Sequence, residues 1–428
     1  MSESASNPHP PDDVRMRGFA RRSTVAEAWT WLDGQAAPLG PEPVPLGRSA
    51  GRVLAEPIAS RVDVPGFARA MMDGFALRAA DTLGASAYNR LALRIAGESM
   101  PGRGFNGTVA AGEAVRIMTG APLPSGADAV LPFEQTECET AATSASPSER
   151  VIVLGEVAPG KHVGRVGEDV AAGAQVLAAG RRLRPQDVGL LAAIGVAEVP
   201  VVRRPRVRIV VTGNELLPAG AQPQPPRIVD SNGPMLEALA ARDGGQPDHP
   251  GIVPDEPRAI LDALRSDAEV ILVSGGSSVG REDHAPLLLR EHGELAVHGI
   301  AMRPSSPAGM GTLDGRLVFL LPGNPVSCLA AYDFFAGRAV RLLGGRAADW
   351  PYRRVRAPLA RKIVSTVGRL DYQRVRLTAG KAEPLAIAGA SILSSTVRAD
   401  GFVLVPPDSE GLAPGGEVEV FLYDDSGR

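Results

Sequence analysis

An uncharged run, VILV at residues 270–273, stops abruptly at SGGSSVGRED, residues 274–283. Four successive β-branched or aliphatic residues suit a strand buried on both faces of a parallel sheet. The glycines that follow let the chain turn sharply and bring bare backbone N–H groups close to a ligand. Asp283 comes next, within reach of whatever those amides hold. From residue 201 onward the texture agrees with a parallel layer, because strand-length and helix-length patterns alternate. VRIVVTGNELLP predicts a buried strand ending at Thr212, Gly213 and Glu215. IVDSNGPMLEALAARDGG predicts a helix capped by Asp230, Ser231 or Asn232, with Gly244 past its end. PDEPRAILDALRSD repeats that design from Pro257, with Asp255 or Glu256 as cap. The strand LVFLLPGNP then runs into a long apolar helix, VSCLAAYDFFAGRAVRLL.

A chain of 428 residues exceeds one ordinary core, so several domains are expected. TVAEAWTWLDGQ places Val25, Ala28, Trp29 and Leu32 on one helical face, with Ser23 or Thr24 as cap. Residues 52–58 suggest a strand or short helix, and residues 67–76 a loop that ends in Asp73 and Gly74. Between residues 88 and 160, short apolar runs separated by Gly, Pro and Ser predict a small antiparallel or barrel-like β unit. Its polar segment 138–150 reads as a mobile hairpin loop. A second acid beside glycines, Asp169, precedes a helix that begins near Pro185. From about residue 351 the helical periodicity disappears, which predicts a terminal all-β domain. The expected fold class is therefore multidomain α/β. It comprises a helical domain (18–60 and 168–200), an inserted β domain (61–167), a parallel-sheet α/β domain (201–345) and a C-terminal small barrel-like β domain (346–428), after a disordered tail (1–17).

Forty-five basic and forty-eight acidic side chains leave a formal charge of -3 with no block of one sign, so nothing marks a nucleic-acid or membrane-surface partner. Cys138 and Cys328 stand far apart in unlike contexts, which suggests neither a disulfide framework nor a thiolate metal site and fits a reducing, cytoplasmic compartment. No run resembles a signal peptide or a membrane span.

In open parallel sheets, ligands sit outside the carboxyl ends of the strands. Three predicted strands end in informative residues: TGNE from Thr212, SGGSSVGRED from Ser274, and LPGNP with Pro322, Gly323, Asn324 and Pro325. Glu215 and Asp283 offer oxygen ligands to a hard cation, Mg²⁺ in particular. The amides of Gly275, Gly276 and Gly280, with the Ser277 and Ser278 hydroxyls, suit phosphate oxygens, and Arg303 in MRPSSP adds a cation. A rival pattern is G-S-S-V-G at residues 276–280, a formal match to a hydrolase nucleophile elbow centred on Ser278, with His284, His292 or His298 as base. That elbow needs a helix immediately after the serine. Here Val279, Gly280 and three charged residues intervene before Pro286, where the helix is expected.

Taken in order, these motifs resemble the molybdopterin molybdenumtransferases, the family that includes the gephyrin E domain. MDGFA (72–76) is similar to the family's MDGYA, VRIMTGAPLPSGADAV (115–130) to its most diagnostic run, and GED (167–169) to its next acidic turn. TGNEL, SGGSSVGRED, MRPSSP and LPGNPVS follow where the family has TGDEL, GGVSVG with a trailing aspartate, KPGKP and LPGNPVS; SILSSTVRADGFVLVP then resembles its C-terminal β domain. The resemblance implies molybdate insertion into adenylylated molybdopterin with AMP release and with Mg²⁺ required. It also implies a homodimer whose active site joins the α/β domain of one subunit to the N-terminal β region of the other. Further implied partners are the molybdopterin adenylyltransferase and client molybdoenzymes. Carried over by motif, Asp73, Asp169, Glu215 and Asp283 are the functional acids, while Pro322 and Pro325 shape a pterin-side loop. The chain departs from the pattern at Arg303 and Ser306, which stand for the two lysines of KPGKP, at Ser305 for its glycine, and at Ala68 and Ala70 upstream of MDGFA. Tungstate in place of molybdate, or a pterin-binding scaffold without turnover, are the alternatives these changes raise.

Overall fold

Val270–Ser274 is a strand with every residue buried, in a computed structural model that describes residues 22–141, 148–276, 283–385 and 389–423. It lies at the centre of a seven-stranded sheet, between Arg206–Thr212 and Arg316–Leu321 and parallel to both. Gln246–Asp248 and Ile252–Val253 extend the parallel half beyond Arg206–Thr212, while Gly309–Leu313 and Glu294–His298 add an antiparallel edge on the other side. Alternate residues of the central strands serve two cores. Val207, Ile209, Leu272 and Phe319 point into one with Leu236 and Ala240, and Val210, Ile271, Val273 and Val318 into the other with Ile260 and Leu289. Burial on both faces explains why these strands carry no alternation of polar residues.

This sheet belongs to one of two compact units, formed by the described residues up to Glu42 together with those from Val201 onward. The helix Val25–Gln35 starts with a full capping box between Thr24 and Glu27, and its Val25, Ala28 and Leu32 enter the first core. Trp29 Nε1 donates to Phe334 O at 2.8 Å. The long apolar helix is Pro325–Ala331 and Gly337–Leu343 with a π-helical stretch, Tyr332–Ala336, between them. Within that stretch Asp333 is fully buried and accepts from Arg242 at 2.9 Å and from the Tyr352 hydroxyl at 2.8 Å. The C-terminal residues form a mainly antiparallel sheet around Phe402, which stacks on Tyr372 at 4.3 Å and on Phe421 at 5.0 Å. Met302–Arg303 joins this second sheet as a parallel strand beside Leu370–Thr378, with Arg303 opposite Asp371.

Pro43–Pro200 makes the second unit. Its six-stranded sheet runs Ala129–Pro132, Gly74–Leu77, Glu113–Ile117, Leu91–Ser99, Ser148–Val153, Thr136–Ala141. Leu91–Ser99 pairs in parallel with Glu113–Ile117, so the sheet is mixed where an antiparallel or barrel-like unit was expected. Within the segment read as a hairpin loop, residues 138–141 and 148–150 are strand, since Thr136–Ala141 pairs with Ser148–Val153, and residues 142–147 lie outside the described residues. Small polar side chains obscured an exposed edge hairpin whose stability comes from cross-strand pairing. Residues 52–58 hold a bridge from Val53 to Arg182 and the first residue of the strand Ile58–Ala59. The expected helix after Arg184 spans Pro185–Ala193.

Candidate functional site

The three strand ends singled out in the sequence lie level with one another. Ser274 is the register partner of Val211 on one side and of Leu321 on the other. Gly275 then turns with φ +97, and a Cβ there would stand 2.2 Å from Thr212 O, so the chain passes with no room for a side chain. Gly323, in the loop after Leu321, lies beside it: a Cβ on Gly323 would be 3.8 Å from Gly275 Cα. Asn232, at the start of the helix Asn232–Asp243, ties the group together by donating from Nδ2 to Ser274 Oγ at 2.9 Å and to Gly323 O at 2.8 Å. Ser231 is the N-cap residue, and Asp230 just before it accepts at Oδ1 from the amides of Asn232 and Gly233. Thr212 Oγ1 and Asn232 Oδ1 are buried without a partner among the described residues. Two orphan oxygens at one strand mouth are acceptors that a ligand donor would satisfy. Beneath them Cys328 Sγ is 3.9 Å from Ser274 Oγ, and burial pushes its thiol up to about 12, so it stays protonated.

Glu215 is exposed on the loop that follows Thr212. Of the two expected caps, Glu256 is the N-cap residue of the helix Pro257–Leu264, while Asp255 Oδ2 accepts from the Asn214 amide at 3.0 Å on that same loop. Asp283 is half-buried just before the helix Ala285–His292. Gly276 continues the turn with φ +55. Ser277, Ser278 and Gly280 lie outside the described residues. Among the described residues no three carboxylate, His or Cys side chains converge on one point. Mg²⁺ needs only one or two carboxylates when substrate phosphates complete its shell, so the oxygen donors Glu215 and Asp283 suit an ion shared with a ligand.

Pro322 and Asn324 also line a cleft of about 1050 Å³ between the α/β sheet and the C-terminal sheet of the same unit. Arg22, Arg303, Arg361, Lys362, Arg369 and Arg374 line it as well, and no Asp or Glu does so among the described residues. Arg303 is half-exposed, with its Nη2 on the buried Asp371 at 2.7 Å. Burial lowers the Arg374 guanidinium from its ordinary value. Ser305, at φ +83, is buried and spends its hydroxyl on Ser327 O at 2.6 Å, so it braces the loop. Pro325 opens the helix behind the cleft.

Asp73 and Asp169 belong to the other unit, in loops leaving one strand pair, Arg69–Ala70 with Val163–Gly164. Thr119 donates to Asp73 Oδ1 from its amide at 2.7 Å and from its hydroxyl at 2.8 Å. Those bonds hold the Asp73 carboxyl below the ordinary aspartate value, the amide contributing most. Asp169 is exposed, and its amide donates to Val64 O at 3.0 Å. Phe67, Met71, Met72 and Val166, a few residues from the two acids in sequence, are exposed. Sequence reasoning missed Thr119, Asn232, Asp371 and Arg22. Thr119 stands in the VRIMTG run and Asn232 in DSN, but each role depends on a partner at least forty residues away.

Three family descriptions match the chain: "MoeA N-terminal region (domain I and II)" over residues 23–195, "Probable molybdopterin binding domain" over 208–341, and "MoeA C-terminal region (domain IV)" over 356–423. Molybdopterin molybdenumtransferase 2 of Mycobacterium tuberculosis is 35% identical over 394 residues, covering 89% of this chain and 95% of that protein. A molybdopterin molybdenumtransferase of Staphylococcus epidermidis is 31% identical, covering 89% and 90%. The crystal structure of a molybdopterin biosynthesis MoeA protein from Pyrococcus horikosii superposes with a TM-score of 0.81 at 32% identity, covering 95% of this chain and 100% of that one.

Proposed function

Since this chain belongs to the molybdopterin molybdenumtransferase (MoeA) family and is a transferase of molybdenum cofactor biosynthesis, we propose that it converts adenylylated molybdopterin and molybdate into molybdenum cofactor with release of AMP. The observation that carries this reading is the cleft: among the described residues six cations and no carboxylate line it, and it opens beside Pro322 and Asn324 where the strand ends converge. Such a surface suits two anionic substrates, a phosphorylated pterin and a tetrahedral oxyanion.

In this reading the turn at Gly275 and Gly276 presents backbone N–H groups to the phosphates, while Asn232 holds the neighbouring loop at Gly323 in register. Thr212 Oγ1 and Asn232 Oδ1 accept from the pterin's ring donors. Glu215 and Asp283 would hold Mg²⁺, which supplies charge neutralisation to the phosphoanhydride. Asp73, kept ionised by Thr119, and Asp169 come from a second copy in a homodimer, and the apolar rim of Phe67, Met71, Met72 and Val166 gives that copy, or the flat pterin, a surface to cover. With this chemistry go a cytoplasmic location and two kinds of partner, an adenylyltransferase that supplies the substrate and apo-molybdoenzymes that take the product. No helix among the described residues is long and apolar enough to cross a membrane.

The test is a purified-protein assay with adenylylated molybdopterin, following AMP and the reactivation of an apo-molybdoenzyme, with molybdate or tungstate and with or without Mg²⁺. AMP release coupled to reactivation is expected with molybdate and Mg²⁺. Pterin binding with no AMP release under any condition would leave a scaffold and overturn the enzyme reading.

A further inference from the structure

Residues 346–352 join the helical layer at Gly337–Leu343 to the C-terminal sheet at Arg353–Pro358. A connection of this kind is ordinarily loose. Here Arg346, Ala348, Trp350 and Tyr352 turn inward, while Ala347, Asp349 and Pro351 between them are exposed. Each inward residue is bonded to the helices. Arg346 Nη1 donates to Arg242 O at 3.0 Å, and Ala348 O accepts from Arg341 Nη2 at 3.0 Å. Trp350 Nε1 donates to Asp333 O at 2.9 Å, and the Tyr352 hydroxyl donates to Asp333 Oδ2 at 2.8 Å.

The helices are shaped to receive this linker. Gly244 leaves room for Arg346, since a Cβ there would be 2.5 Å from the guanidinium carbon. Gly337, which in an α-helix would donate to Asp333 O, donates one residue further back, to Tyr332 O. The π-helical turn thus presents Asp333 O to Trp350. Asp333 also accepts from Arg242 at 2.9 Å, and Arg242 and Arg341 each pair with Asp243, so two guanidinium groups and two carboxylates balance in the interior. Trp350 meets Phe334 of the helix at 4.8 Å and Phe421 of the sheet at 5.1 Å. Arg242 and Asp243 end the helix Asn232–Asp243, whose first residue bonds to Ser274 and Gly323 at the strand mouth. One helix therefore connects the strand mouth to the linker that carries the C-terminal wall of the cleft.

We propose that Asp333, Arg242 and Tyr352 are positioning residues that hold the C-terminal sheet at the spacing from the strand mouth that the adenylylated pterin fits, so that the cleft is formed before substrate arrives; this rests on the proposed reaction. None of the three lines the cleft, so each acts through its walls. A wall that swings spends part of its time at the wrong spacing, and apparent affinity falls by that fraction.

The test uses the full chain with exposed Cys138 changed to serine, Cys328 being buried, and a spin label on each wall, at Glu294→Cys and Lys381→Cys, both exposed. Pulsed electron resonance should give one narrow distance distribution, unchanged by adenylylated molybdopterin. Asp333→Asn and Tyr352→Phe should each broaden it, and substrate should narrow it again. In both variants the KM for adenylylated molybdopterin should rise about five- to tenfold, as the competent fraction falls to about a fifth or a tenth, with kcat retained. A role in stability alone would lower the unfolding midpoint and move neither the distances nor KM. Folded variants with the parent distance distribution, or with unchanged KM, overturn the proposal. If Asp333→Asn does not fold, Tyr352→Phe, which removes a single hydroxyl, decides. Failure of the reaction itself shows as no AMP release from the unsubstituted chain, and the label distances then still decide whether the linker fixes the two walls.

Discussion

Replacing Gly275 by alanine tests whether the turn at the strand mouth is built on a close backbone crossing. At φ +97 an L-residue pays a left-handed penalty of about 1–2 kcal/mol. The added Cβ would also lie 2.2 Å from Thr212 O, well inside any normal contact, so the turn or the end of Arg206–Thr212 must move. Ser274 is in register with Val211 and Leu321, and movement there disturbs ladder hydrogen bonds worth about 1 kcal/mol each. The sum is about 3 kcal/mol or more. Gly220 supplies an internal control: its φ of +86 is similar, but nothing lies within 4 Å of its Cβ position. Gly220→Ala should therefore cost only about 1 kcal/mol. Urea unfolding of both variants, followed by hydrogen exchange at the 270–274 amides, reads the difference. AMP release should fall far more in Gly275→Ala than in Gly220→Ala. Equal unfolding midpoints for the two variants, or a fully active Gly275→Ala, would refute the crowded-crossing argument.

Asp73→Asn should abolish AMP release with little change in the unfolding midpoint, since the side chain is exposed. Thr119 depresses the folded pKa of Asp73, so the stabilisation those bonds give is present above the unfolded value and is lost as pH falls through the folded one. Thr119→Val should accordingly shift the acid limb of the pH–rate profile toward neutrality, and an unmoved limb would show that Asp73 does not report there. Asp371→Ala leaves Arg303 and Arg369 facing an empty buried site; after discounting for the exposed half of Arg303, the loss is about 2 kcal/mol, read by thermal or urea unfolding. Asn232→Ala removes two donated bonds and should cost about 1–2 kcal/mol while lowering AMP release, whereas wild-type values for both would remove Asn232 from the site.

The α/β core was legible because burial on both faces leaves uncharged runs such as VILV, and because capping residues such as Thr24 and glycines such as Gly244 mark helix ends locally. The strand-end loops were legible for the same reason, each following its run directly. Pairings across long separations were not. Asp371 sits 68 residues from Arg303, and Arg22 sits 284 from Ser306; neither residue looks unusual beside its neighbours in sequence. Asp230, Ser231 and Asn232 were alternative caps in the sequence; Ser231 is the N-cap residue, Asp230 supplies the carboxylate that accepts from the first amides, and the Asn232 side chain reaches across to Ser274 and Gly323 instead. The mixed character of the β unit was hidden too, since only the length of the connection after Leu91–Ser99 distinguishes a parallel neighbour from a hairpin.

The helix Val25–Gln35 also bears on how the molecule is made. It is made before Pro43–Pro200, yet Trp29 bonds to Phe334 and the core its Leu32 enters otherwise begins at Val207. Synthesis delivers the whole of Pro43–Pro200, a unit with its own core, before any of those partners exists. For that interval the apolar face of the helix lacks the partners that cover it in the folded unit, so it is open to aggregation until the chain beyond Val207 has been made.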